Sequence, residues 1–186
     1  VAAGGAATFQ VIFNPSATGN RAAIVKVSSN DASEAFYDFA ILGRGVTPEI
    51  DVRNFLGQTI ADGDTVPTLT KQTDFGPIDV SSGSFTRTFT VANTGTGPLT
   101  LSGAPRVQIV GADAADFSVT ALPAVSVAPG GTTTFKIAFN PSATGNRAAI
   151  VKITTNDASE TFYDFAVKGT GVAPEIDIRN FLGQSI

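Results

Sequence analysis

Apolar and polar residues alternate along most of this chain with the two-residue period of a half-buried strand. In Ser84-Phe85-Thr86-Arg87-Thr88-Phe89-Thr90-Val91, Phe85, Phe89 and Val91 share one face and three threonines the other. Thr134–Phe139 turns Phe135, Ile137 and Phe139 the same way. Arg147–Thr154 and Thr161–Lys168 nominate Val151, Ile153, Tyr163, Phe165 and Val167 for the core. Shorter strands are expected at Glu49–Arg53, Leu99–Leu101, Arg106–Val110, Phe117–Thr120 and Glu175–Arg179. Runs of Asn, Gly, Pro and Ser separate them, as in Asn93–Pro98, Pro129-Gly130-Gly131, Asn140–Asn146 and Thr155–Glu160. Ala112–Asp116 suits about one helical turn. Asn54–Asp79 reads as a long ordered loop, with a short strand near Phe75–Val80. Seven or more short strands with regular turns predict an all-β fold, an antiparallel β-sandwich.

The chain also repeats itself. Shifted by 126 positions, Val1–Ile60 falls on Val127–Ile186 without a gap, differing at 16 of 60 positions and identical at the other 44. Phe13–Lys26 recurs unchanged as Phe139–Lys152. The differences carry the strand pattern: Val11/Ile137 and Ile41/Val167 are conservative apolar swaps, while their neighbours Gln10/Lys136, Ile12/Ala138 and Leu42/Lys168 are not conservative. The expected organisation is the C-terminal part of one module at 1–46, a complete module at 47–172 and the start of a third at 173–186, in tandem repeats of 126 residues. Val1–Gly5 corresponds to mid-module residues 127–131, so these residues are expected to be a window on a longer array. The six residues 169–174, ending in Pro, are too short for a random-coil spacer. Residues 1–46 lack the strands that open a module. Their inner face is expected to need cover from neighbouring repeats or other copies, with strand complementation as one route.

Composition narrows the chemistry. There is no Cys, His, Met or Trp, which removes thiolate nucleophiles, imidazole bases and the usual zinc and iron–sulfur ligands. The 14 Phe and 42% hydrophobic content supply a core. A net charge of −4 with scattered Lys and Arg argues against nucleic acid as a partner. No apolar run reaches the ~18 residues of a membrane span. Val1–Gly5 has neither the basic start nor the apolar stretch of a signal peptide, as a window would not. The absence of Cys is also a habit of long bacterial surface proteins.

The ordered set Asn93–Leu101, Gly111–Phe117, Pro129-Gly130-Gly131 before Phe135, Phe139-Asn140-Pro141 and Gly169-Thr170-Gly171 resembles a choice-of-anchor D repeat, within the ASH (Hydin-like) group of immunoglobulin-like domains. Ile60–Thr65 and Thr73–Gly76 are similar to the bacterial form. The resemblance covers essentially the whole chain. It implies an immunoglobulin-like sandwich of seven to nine strands in large exported bacterial surface proteins, often in tandem. It brings no catalytic residues.

Candidate sites are few. Asp62, Asp64 and Asp74, with Asp79 nearby, could supply oxygen ligands for Ca²⁺ at a domain junction. Their spacing is not that of an EF-hand, no complete ligand set can be read, and Asp is equally a turn former. Asp113 and Asp116 suit capping of the short turn before Phe117. Nothing concentrates acids on one strand face for glycoside hydrolysis. The Gly-rich pieces lack the lysine and strand–loop–helix context of phosphate loops. Lys26 and Lys152 raise the question of an isopeptide bond, but fit outward sheet positions better. No enzyme is expected. The reading is a stiff structural spacer or fibre segment outside the cell or on a bacterial surface. The alternative is an adhesion module recognising glycan or protein through end loops, with Phe55 and Tyr37 as candidate aromatics.

Overall fold

The computed structural model describes residues 1–81 and 83–186. It divides into two compact units, Val1–Thr47 and Pro48–Ile186. Unit 1 holds a hairpin, β1 (Gly19–Ser28) and β2 (Phe36–Gly45). Unit 2 holds β3 (Ile50–Asn54), β4 (Asp74–Asp79), β5 (Phe85–Asn93), β6 (Leu99–Thr100), β7 (Val107–Val110), a 3₁₀ turn at Ala114–Asp116, β8 (Phe117–Ala121), β9 (Ser126–Val127), β10 (Thr132–Phe139), β11 (Gly145–Thr154) and β12 (Phe162–Val172).

Unit 2 is the β-sandwich that the alternation predicts. One sheet runs β3-β5-β10-β8 and the other β4-β12-β11-β7, with a small β6-β9 ladder beside them. The inward side chains of both sheets close one core. Phe89 stacks on Phe135 within its sheet, centroids 5.3 Å apart, and meets Phe165 of the opposite sheet at 5.5 Å. Phe117 and Phe139 stack at 4.7 Å, with Phe75 across the gap. Such ring pairs add attraction to the burial of their area, which is the main stabilising force here.

Three features depart from the sequence pattern. β12 continues past Lys168 to Val172, because β11 pairs with it on one side and β4 runs parallel to it on the other. The sandwich therefore contains one parallel pair. β9 has no signal of its own and exists through its pairing with β6. Glu175–Arg179 forms no strand; it makes a single bridge, Arg179 to Ser185. Its counterpart β3 is a strand because β5 lies beside it.

The 55–73 loop is ordered, as expected, and runs along β12 before entering β4. Gly63 N–H donates to the Asp164 carbonyl (2.8 Å), Ala166 N–H to Asp64 (2.7 Å) and Lys168 N–H to Thr73 (3.0 Å). Ile60 anchors it in the core, and Tyr163 donates its hydroxyl proton to the Ile60 carbonyl.

Candidate functional site

The path of the chain through unit 2 is the first functional feature. Ile50 opens β3 opposite Asn93, at the same end as Thr132 and the β11–β12 turn. Val172 closes β12 beside Asp79, at the end where Gly145 pairs with Gly171. The chain therefore enters the sandwich of unit 2 at one pole and leaves that sandwich at the other. At about 3.3 Å per residue, the 11 residues of β12 alone run roughly 33 Å between the poles.

A polar clasp closes the entry pole. Asp157 is buried in the β11–β12 turn; its Oδ2 accepts from the Ile50 N–H (3.0 Å), its Oδ1 from the Ser159 N–H and hydroxyl. Buried Asn93 accepts from the Glu49 and Gly95 N–H groups and donates to the carbonyls of Gly97 and Val127. Asn156 accepts from the Thr100 N–H at 2.7 Å. Burial pushes the Asp157 carboxyl upward, but the bonds from Ser159 and from the Ile50 and other loop N–H groups outweigh it and hold the group below the usual carboxylate range.

Oxygens of Asp157, Glu49 and Glu160 lie within 4.8 Å of one another. Glu160 is held above its ordinary value, first by burial and then by Asp62, Glu49, Asp157 and Asp51. One of its oxygens is buried without a partner. Both Asp157 oxygens are already committed to loop and strand donors, so the trio has the arrangement of a structural clasp.

Asp62, Asp64 and Asp74 lie in sequence along β12. Asp62 accepts from the Asp164 N–H (2.7 Å). Asp64 takes the Lys71 ammonium at 2.6 Å and the Val66 N–H. Asp74 takes the Gly76 N–H and pairs with Lys168 at 3.3 Å. Among the described residues, their oxygens do not form a common group. Asp113 makes no cap bond to the 3₁₀ turn; it reaches the Ala148 N–H and Arg147 of β11, and Asp116 accepts from the Ser142 N–H. Lys152 lies over the Phe162 ring at 4.0 Å.

The second feature is the apolar face of unit 1. The sequence match sets each side chain there against a counterpart in unit 2. Phe9 is 60% exposed and Phe135 0%; Phe13 50% and Phe139 0%; Tyr37 62% and Tyr163 3%. Val11, Val27 and Phe39 are exposed too, where Ile137, Ile153 and Phe165 are buried. The β1–β2 hairpin keeps the register of β11–β12, Gly19 opposite Gly45 through Ser28 opposite Phe36. Phe13 still lies over Gly43, where a Cβ would sit 2.6 Å from the ring. Residues 6–15 form no ladder, although their counterparts include β10. Exposed Tyr37 thus occupies the position that buried Tyr163 holds in unit 2. Phe55, also exposed, borders a cavity of about 280 Å³ with Phe85 and Arg87.

The Asn93 hub and the entry clasp escaped sequence reasoning. The one available signal was the Asn93-Thr94-Gly95 turn itself.

The chain resembles a protein of unknown function from Porphyromonas gingivalis W83, with a TM-score of 0.48 and 16% identity over 86% of this chain and 69% of that one. The ASH/PapD-like domain 7 of human CEP192 gives 0.41 and 16% over 69% of this chain and 89% of that one. The Vibrio cholerae VesB protease gives 0.40 and 18% over 57% of this chain but 29% of that one. No curated protein matches the sequence. The family model for the HYDIN/CFA65/VesB-like Ig-like domain matches residues 68–170, from the loop before β4 almost to the end of β12. The chain therefore belongs to the HYDIN/CFA65/VesB-like Ig-like domain family.

Proposed function

We propose that this chain is a structural segment of a long extracellular or bacterial-surface protein, built from tandem sandwiches that act as a stiff spacer or fibre. Within its family we place it nearest the choice-of-anchor D form, on the Asn93–Leu101 and Gly111–Phe117 runs. The observation that carries the reading is the placement of entry and exit at opposite poles of unit 2. A module threaded in this way adds its own length to the path of the chain. Tension applied through Ile50 and Val172 pulls along β3 and β12. It must shear their ladders with β5, β11 and β4 all at once rather than unzip them bond by bond. The reading assigns the chain no catalysis.

Single-molecule stretching through the two chain ends tests this. Residues 50–172 extend to roughly 400 Å beyond their folded length. One resolved rupture releasing about that length is expected. Gradual lengthening without a rupture peak would refute a load-carrying module. A second reading, an adhesion module, draws on the cavity flanked by exposed Phe55 and Phe85. Specific retention on a glycan array, abolished by Phe55→Ala, would favour it instead.

A further inference from the structure

We propose that the apolar face of unit 1 is an acceptor for an additional polypeptide segment of the 48–126 sequence, docked as residues 48–126 dock on 127–172. This rests on the tandem reading and names the partner of its open face. The face is not merely apolar. Its positions carry the same residues, or close apolar replacements, as those buried in unit 2. There the cover comes from Ile50, Val52, Phe75, Phe89, Val91 and Phe117, all within 48–126.

The way in is also formed. In unit 2 the segment reaches β10 through the 128–131 turn, with Gly131 N–H donating to the Ala128 carbonyl at 2.9 Å and Gly130 at φ +72°. Unit 1 makes the same turn in isolation, with Gly5 N–H donating to Ala2 at 2.9 Å and Gly4 at φ +75°. The strand that should follow, 6–13, lacks only flanking ladders. In unit 2 these are β5 and β8.

Exchange between copies of this chain cannot meet the need. Each copy carries one 48–126 segment and two faces that want it, so lending it to a neighbour uncovers the lender's own 127–172. The occupant is therefore a further copy of the segment.

The test compares the 186-residue chain with the same chain preceded by a second copy of residues 48–126. A third chain carries that added copy with Phe89→Asp and Val91→Asp. All three carry Tyr163→Phe, and 48–126 contains no tyrosine, so Tyr37 is the sole tyrosine in a chain without Trp and its emission is read alone. Acrylamide quenching of Tyr37 should fall several-fold in the extended chain, as exposure drops from 62% towards the 3% of Tyr163, and recover in the Asp variant. Amide exchange at 8–13 should slow in parallel. Unchanged quenching and exchange in the extended chain would overturn the proposal, as would a shielded Tyr37 in the 186-residue monomer. Small-angle scattering on the same samples separates the two readings. A longer particle with Tyr37 still exposed defeats docking alone. A covered Tyr37 without added length defeats the spacer and leaves docking standing.

Discussion

The two copies of one sequence allow a matched perturbation. Phe135 and Phe9 occupy equivalent positions, both preceded by Thr, yet one is fully buried and the other mostly exposed. Phe135→Ala removes a ring stacked on Phe89 inside a closed core. Lost transfer energy plus the remaining cavity should cost about 3–5 kcal/mol. For a domain of this size, each kcal/mol moves Tm by about 3–5 °C, so a drop of about 10–25 °C is expected. Phe9→Ala gives up less than half of the ~1.5–3 kcal/mol available from full burial and leaves no enclosed void, so about 1 kcal/mol or less is expected. Thermal unfolding followed by far-UV circular dichroism, with urea titration for the free energies, measures both. Equal losses, or a larger loss at Phe9, would refute the assignment of one face as core and the other as uncovered.

Two further predictions concern the entry clasp. Asp157→Ala should destabilise by about 1–3 kcal/mol at neutral pH, because the Ile50 N–H loses its buried acceptor. The Asp157 carboxyl is depressed below its ordinary 3.8, so its contribution is present above that value and lost as pH falls through the lower folded value. Urea midpoints of wild type and variant should converge in that acidic window, and a constant gap would count against the clasp. Glu160 has the opposite sign. It is raised above 4.5, so its contribution is intact below 4.5 and declines as pH rises through the folded value. Glu160→Gln should therefore be more stable than wild type at pH 7 and equal to it in acid; a less stable variant at neutral pH would show that its charge is needed.

Most strands were legible because alternation is a local record of which side faces the core. Phe85 to Val91, Thr134 to Phe139 and Phe162 to Lys168 each carry it residue by residue. What alternation cannot record is the partner. Nothing local in Asp74–Asp79 says that β4 will lie parallel to β12, and nothing in Ser126-Val127 says that it will meet β6. The candidate site was less legible. Asp62, Asp64 and Asp74 look alike as turn-forming acids, and only the fold strings them along β12, each with its own N–H or lysine. Asp157 and Asn93 look like loop residues until the chain brings Ile50, Gly97 and Val127 to them from 34 or more residues or from across a turn.

The duplicated segment separates the two levels of control. The hairpin 19–45 has the register of 145–171, and the Ala2–Gly5 turn forms as 128–131 does. The Asn180 loop copies the Asn54 loop, with Leu182 and Gln184 N–H groups on the Asn180 side-chain oxygen. Each closes its hydrogen bonds within about 26 residues, so sequence alone determines it. Residues 6–13 and 175–179 hold strand sequences but no ladders, and Phe9, Phe13 and Tyr37 hold core sequences but no core. Only tertiary structure decides these. A strand needs a neighbour to take its backbone bonds, and an apolar side chain leaves water only when distant segments arrive to cover it.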